Sequence, residues 1–162
     1  HSRAGQNTNT LAHTMSSARI ARMTLNGQDM SEFYVHGLAA SYYGVPSIFV
    51  SGDEGLCQEV AEHNSTIETV ATIKGEGSSV ISQHPAQSLK MIRAGVAKAI
   101  GGDFSKGLLS IPDKLEFSIE FKKHQEAYRA SFYPGANLIN PVTVGFKTED
   151  YFELLRFNLF AY

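Results

Sequence analysis

The sequence predicts an α/β fold, a layered α/β/α-type domain built on a mixed sheet. Helix-like and strand-like patterns alternate along its 162 residues, as they do where helices cover a sheet. Residues 85–100 carry Leu89, Ile92, Val96 and Ile100 at intervals of three and four, the spacing of one helix face. In residues 114–122, by contrast, Leu115, Phe117, Ile119 and Phe121 alternate with Glu116, Ser118 and Glu120, so this strand has one wet face. A wet face places part of the sheet at an edge or in antiparallel pairing.

Residues 1–18, rich in Ser, Thr, Asn, Gly and Ala, have no period and read as an irregular segment. A strand over 19–25 ends at Asn26-Gly27, a pair that tolerates the positive φ of a tight turn. Ser31 is placed to cap a helix that opens on Glu32, where a carboxylate also suits the helix dipole. That helix is expected to turn Phe33, Leu38, Ala39 and Tyr42 to the core and to stop at Gly44, before Pro46. The apolar run 47–51 (SIFVS) reads as a strand buried on both faces.

A second helix is expected over 54–63, with Leu56, Val60 and Ala61 on one side, and a β-branched strand over 66–73. Pro85 opens the long helix and Gly101-Gly102 stops it. After a loop over 103–113 come the alternating strand, a helix over 124–132, a turn at Pro134-Gly135 and a strand over 142–146. Thr148 is read as the cap of a last helix whose apolar side is Leu154, Leu155, Leu159 and Phe160. There is no internal repeat, low-complexity tract or linker, and the length suits one well-cored domain.

Composition narrows the function. With 43% apolar and 19% charged residues the chain is globular rather than disordered. A formal charge of −2 gives no basic face for nucleic acid. The single Cys57 forms no internal disulfide, and as part of an amphipathic helix it reads as core rather than nucleophile. No apolar run approaches the roughly 18 residues of a membrane span. With no targeting signal in view, a cytoplasmic location is expected.

The chemistry concentrates in the first third. His1, His13 and Glu32 supply imidazole and carboxylate donors of the kind zinc accepts; surface histidines and an ordinary helix-start glutamate would give the same residues. His36 shares a helix face with Glu32, either as part of a site or as half of a solvated polar pair. His63, His84 and His124 lie at element ends and read as capping or surface groups. The Gly-Glu-Gly-Ser run at 75–78 lacks the Lys-Ser/Thr of a phosphate loop.

Taken in order, HSRAG around His1, LAHTM around His13, NGQDMSE ending at Glu32 and then ASYYGVPSIFVSGD resemble the zinc-dependent D-aminopeptidases of the DppA type. LEFSIEF, a helix with Ala127 and YPGA continue the likeness over nearly the whole chain. The resemblance implies that His1 and Glu32 are zinc ligands and that His13 is the catalytic histidine. It implies two zinc ions per complete site, held also by an Asp-x-Glu strand and another His that lie upstream of the matched region. The chain is therefore expected to be the C-terminal part of a longer enzyme, partnered by its own N-terminal fragment or a chain carrying the missing ligands.

The family's ring assembly implies a homo-oligomer, a pentamer or decamer. Short peptides beginning with a D-residue such as D-Ala are the implied substrates. His36 stands where the family has Asn, which keeps open a substrate-contacting role for it and an amidase acting on small non-peptide amides. A non-catalytic scaffold or binding subunit lacking the acidic motif is the remaining alternative.

Overall fold

The computed structural model describes residues 1–162. In chain order the elements are β1 (Ile20–Leu25), β2 (Gln28–Asp29), α1 (Glu32–Tyr42), β3 (Phe49–Asp53), α2 (Glu54–His63), β4 (Glu68–Glu76) and β5 (Ser79–Ser82). They are followed by α3 (Pro85–Ile100), a 3₁₀ turn (Phe104–Gly107), β6 (Leu115–Phe121), α4 (His124–Ala130), β7 (Ala136–Asn140), β8 (Thr143–Thr148) and α5 (Tyr151–Ala161). The α/β class holds, but the strands form two sheets.

One sheet is mixed, in the order β3-β4-β5, with β3 and β4 parallel and β4 and β5 antiparallel. Gly95 of α3 sits against Phe49 and Val70, and a Cβ there would come within 2.7 Å of the Phe49 ring. Leu56, Cys57 and Val60 of α2 are buried, with Leu56 packed on Gly52. This unit has the helix-on-sheet layering that the sequence predicts.

The second sheet, β2-β1-β6-β8-β7, is antiparallel throughout. Asn26 (φ 50°) and Gly27 (φ 80°) close the β1–β2 hairpin between Leu25 and Gln28, as the Asn-Gly pair requires. Leu115, Phe117, Ile119 and Phe121 all face the core. Phe157 of α5 fills the centre, stacked on Phe146 at 4.8 Å and met edge-on by Tyr133 at 5.3 Å and Phe117 at 5.9 Å. The Tyr151 hydroxyl donates to the Val35 carbonyl at 2.8 Å, which locks α5 to α1.

Several expectations are corrected. The 47–51 strand is not buried on both faces; β3 is an edge strand whose residues before Asp53 are at most half-buried, because only β4 pairs with it. Helix α3 spans the expected residues, yet Leu89 is 59% and Ile100 60% exposed, and only Gly95 is buried. Tyr42, expected in the core, is 43% exposed, and Ala61 is also exposed while Cys57 is buried.

Asp150, not Thr148, caps α5, because its carboxylate accepts the Phe152 amide at 2.9 Å. Leu159 and Phe160 point outward, and Tyr151, Phe157 and Ala161 join Leu154 in the core. β5 and β7 occupy stretches to which the sequence pattern assigns no element. His63 is neither cap nor surface group: its ring stacks on Tyr34 at 3.7 Å. His84 does cap α3, accepting the Ala86 amide, and Cys57 is core as expected.

Candidate metal centre

Residues 1–18 have no strand or helix to hold them, so their order comes from side chains and from a neighbouring strand. The Gly75 amide of β4 donates to the Thr8 carbonyl at 2.8 Å. A Cβ on Gly75 would meet the Thr8 carbonyl carbon at 2.5 Å, so only glycine lets the loop lie this close. Thr14 is buried; its hydroxyl accepts the Ala4 amide at 3.0 Å and donates to the Met30 carbonyl at 2.9 Å. Arg3 reaches Asp29 at 2.8 Å and lies 3.8 Å from Glu59.

Under these restraints the rings of His1 and His13 stack, with centroids 4.2 Å apart. Each Nδ1 faces a carbonyl oxygen, His1 that of Ser2 at 3.0 Å and His13 that of Leu11 at 2.7 Å. A carbonyl has no proton to give, so each Nδ1 is the donor, and in the neutral ring each Nε2 then keeps its lone pair.

Glu32 arrives from the start of α1. Ser31 is the N-cap, fully buried, and its hydroxyl accepts the Tyr34 amide at 3.1 Å. The Glu32 carboxylate accepts the amide of Met15 at 2.9 Å. Met15 holds φ at 59°, a left-handed conformation rare for its residue type, and in this turn its amide meets Glu32. His13 Nε2 lies 3.8 Å from Glu32 Oε1, and one donor atom from each of His1, His13 and Glu32 lies within 4.8 Å of the others.

Two imidazoles and a carboxylate match the donor set of a single zinc ion with an open position. They are too few for two ions. His36 is exposed on α1, one turn beyond Glu32, and both line an open groove of about 490 Å³ with Phe33, Pro46, Phe49 and Val50. The three residues predicted for metal and catalysis are thus brought together, and His36 lines a groove that reaches Glu32 of the three.

Comparison with known proteins bears on this arrangement. A family model described as D-aminopeptidase matches residues 1–160. The chain belongs to the D-aminopeptidase family. A D-aminopeptidase of Bacillus subtilis (strain 168) is 27% identical over 131 residues, covering 80% of this chain and 48% of the relative. The solved structure of the Zn-dependent D-aminopeptidase DppA from Bacillus subtilis, a self-compartmentalizing protease, superposes with a TM-score of 0.86 at 25% identity. That match covers 99% of this chain and 60% of the other. The chain spans about half the length of the curated relative it matches.

Two residues that the sequence does not single out pack around this cluster. Asp53, at the end of β3, is 1% exposed and caps α2 by accepting the Leu56 amide at 2.9 Å. Burial pushes its carboxyl up, but hydrogen bonds from Ser2, Asn9 and Leu56 outweigh that and hold it below the ordinary aspartate range. The available signal was an Asp directly before a helix start, a cap residue by type. Tyr162 is half-buried near Glu32; burial first, then the glutamate's charge, raises its phenol pKa. Nothing in the local sequence announces that approach across 130 residues.

Proposed function

We propose that this chain forms part of a zinc-dependent aminopeptidase that releases N-terminal D-amino acids, such as D-Ala, from short peptides. The observation that carries the reading is the convergence of His1, His13 and Glu32, with both Nε2 lone pairs available. His1 and Glu32 would hold zinc, with two ions in the complete site once further ligands join. Zinc, when bound, supplies Lewis acidity that polarises a scissile carbonyl and eases the ionisation of water. His13 exchanges a proton with the substrate through Nε2, while its Nδ1–H stays on the Leu11 carbonyl and fixes the ring. The open groove beside Glu32 receives the short peptide, with His36 as a substrate contact on its wall.

The remaining ligands are assigned to a further segment, the enzyme's own N-terminal part or a separate chain, with this chain as the C-terminal portion. The open edge of β3 supports that assignment. The Ile48 carbonyl accepts from the Glu68 amide, so alternation turns the backbone groups of Phe49 and Ser51 away from β4. β3 ends at Asp53, which binds Ser2 beside His1, so a strand added along it would end near the metal cluster. The assembly is proposed to be a homo-oligomeric ring, pentamer or decamer, in keeping with the self-compartmentalizing character of the solved relative. No helix is long and apolar enough to cross a membrane.

The test combines intact mass and metal content of the native particle with hydrolysis of D-alanyl peptides. A ligand-bearing second segment, about two zinc ions per site and D-specific release support the proposal. A particle with neither metal nor hydrolysis would leave the scaffold reading. His13→Ala is expected to keep its zinc and lose about 10²–10⁴ in kcat. Loss of the metal instead would make His13 a ligand. His36 on the groove wall favours the amidase as a second reading, which amide release exceeding peptide release would establish.

A further inference from the structure

We infer that Asp53 is the positioning residue of the metal centre, one buried carboxylate that sets the place and the tautomer of both histidines. The inference rests on reading His1, His13 and Glu32 as a metal site, and it concerns a residue that makes no hydrogen bond to any of them.

Two hydrogen-bond relays leave the Asp53 carboxylate. In the first, Oδ2 accepts the Ser2 amide at 2.7 Å and Oδ1 accepts the Ser2 hydroxyl. The Ser2 carbonyl, fixed in this way, accepts Nδ1–H of His1 at 3.0 Å and the backbone amide of His13 at 3.3 Å. In the second, Oδ2 accepts the Asn9 side-chain amide at 2.9 Å, and Asn9 Oδ1 accepts the Leu11 amide at 2.9 Å. The Leu11 carbonyl then takes Nδ1–H of His13 at 2.7 Å. Each histidine is thus held at the nitrogen opposite the one that would bind metal or move a proton.

The residue type matters. The carboxylate meets four donors: the Ser2 amide, the Ser2 hydroxyl, the Asn9 amide and the Leu56 amide. An ionised carboxylate offers about four acceptor sites, whereas an Asn side chain offers one oxygen and turns an NH₂ group towards donors. Asparagine would still cap α2, since Asn and Asp are comparable caps. It would lose at least one branch of the relay. Partners that take the ring N–H of a ligating histidine typically cost about 10- to 100-fold in metal affinity when removed, and Asp53 fixes those partners, the Ser2 carbonyl directly and the Leu11 carbonyl through Asn9.

The experiment uses the whole protein, with Asp53→Asn and Asn9→Ala as variants. Three measurements are made: zinc affinity by competition with a chromogenic chelator, the ring ¹⁵N signals of the metal-free protein, and its melting temperature. Wild type is expected to show Nδ1–H tautomers for both histidines. Asp53→Asn is expected to lower zinc affinity by about 10- to 100-fold and to mix the tautomers of both rings.

Asn9→Ala leaves the α2 cap in place, so it isolates the second branch and disturbs the His13 signal alone. It also keeps the test decisive if Asp53→Asn folds poorly. Unchanged tautomers and unchanged zinc affinity in folded variants would overturn the inference. Wild type that binds no zinc would defeat the metal reading instead. The relay from Asp53 to the two rings then stands or falls on the ¹⁵N signals.

Discussion

Replacing Glu32 by Gln separates a ligand from a structural helix-start residue. The substitution keeps length and shape, and Gln Oε1 can still accept the Met15 amide that Glu32 holds at 2.9 Å. What disappears is the negative charge near the lone pairs of His1 and His13. Zinc sites with four protein ligands have apparent binding free energies of about 10–16 kcal/mol, or roughly 3 kcal/mol per ligand. At 1.4 kcal/mol per tenfold, losing one ligand weakens zinc binding about 100-fold.

Stability should respond far less. Glu32 sits in the first turn of α1 and is about one-third exposed, so its favourable dipole interaction contributes about 0.3–1 kcal/mol. In a domain of this size that shifts the melting temperature by no more than about 4 °C. The assay is a chelator competition beside thermal melts of the metal-free protein. Zinc affinity within threefold of wild type would refute the role of Glu32 as ligand. A melting temperature lowered by 10 °C or more would refute the claim that its role is chiefly in the site.

Three other perturbations test the framework. Burial raises the Glu59 carboxyl above its ordinary range despite the opposing hydrogen bond from Ser31 and charge of Arg3, so its stability contribution is full below the unfolded pKa and is lost as pH rises through the folded one. Glu59→Gln should therefore gain on wild type as pH climbs from about 4 towards neutrality, and parallel melting curves over that range would contradict it. Gly75→Ala drives a methyl into the Thr8 backbone, so it should displace the histidine loop and weaken zinc binding at least tenfold, with new protease cleavage in residues 1–18 as a second readout. Phe157→Ala empties the centre of the aromatic cluster and should cost about 3–5 kcal/mol in urea unfolding; under 1.5 kcal/mol would mean the cavity collapses or the packing is misread.

What the sequence revealed depended on how local each signal was. Asn26-Gly27, Ser31 before Glu32, and Pro85 with Gly101 act within a few residues, and the turn and helices they mark lie where expected. β5 and β7 are short strands with mostly exposed residues, so they lack the hydrophobic alternation that a buried strand shows. Their existence depends on partners, β4 and β8, and not on their own composition. The spacing of Leu89 and Ile100 marks the helix, but periodicity states which residues share a face and not whether anything covers that face.

The site shows the same division. His1, His13 and Glu32 come from a loop and a helix start up to 31 positions apart, so spacing alone left a metal site only one reading among others. The resemblance of the surrounding motifs singled them out, and the fold brings their donor atoms together. For Asp53 the sequence signals a helix cap and no more, because nothing in SGDEG says which acid will be sealed from water. Its burial arises from the packing of residues 1–18 over the end of β3, a contact across 51 positions.

The uncovered edge of β3 also governs how the protein can be handled. Backbone groups of Phe49 and Ser51 stand ready to pair, and there is no charged residue or proline within Phe49–Gly52 to discourage a wrong guest. When this chain is prepared by itself, rising concentration favours edge-to-edge association, visible as light scattering before any loss of helix content. If the segment proposed above pairs with that edge, co-expressing it suppresses the scattering; scattering left unchanged would count against that pairing.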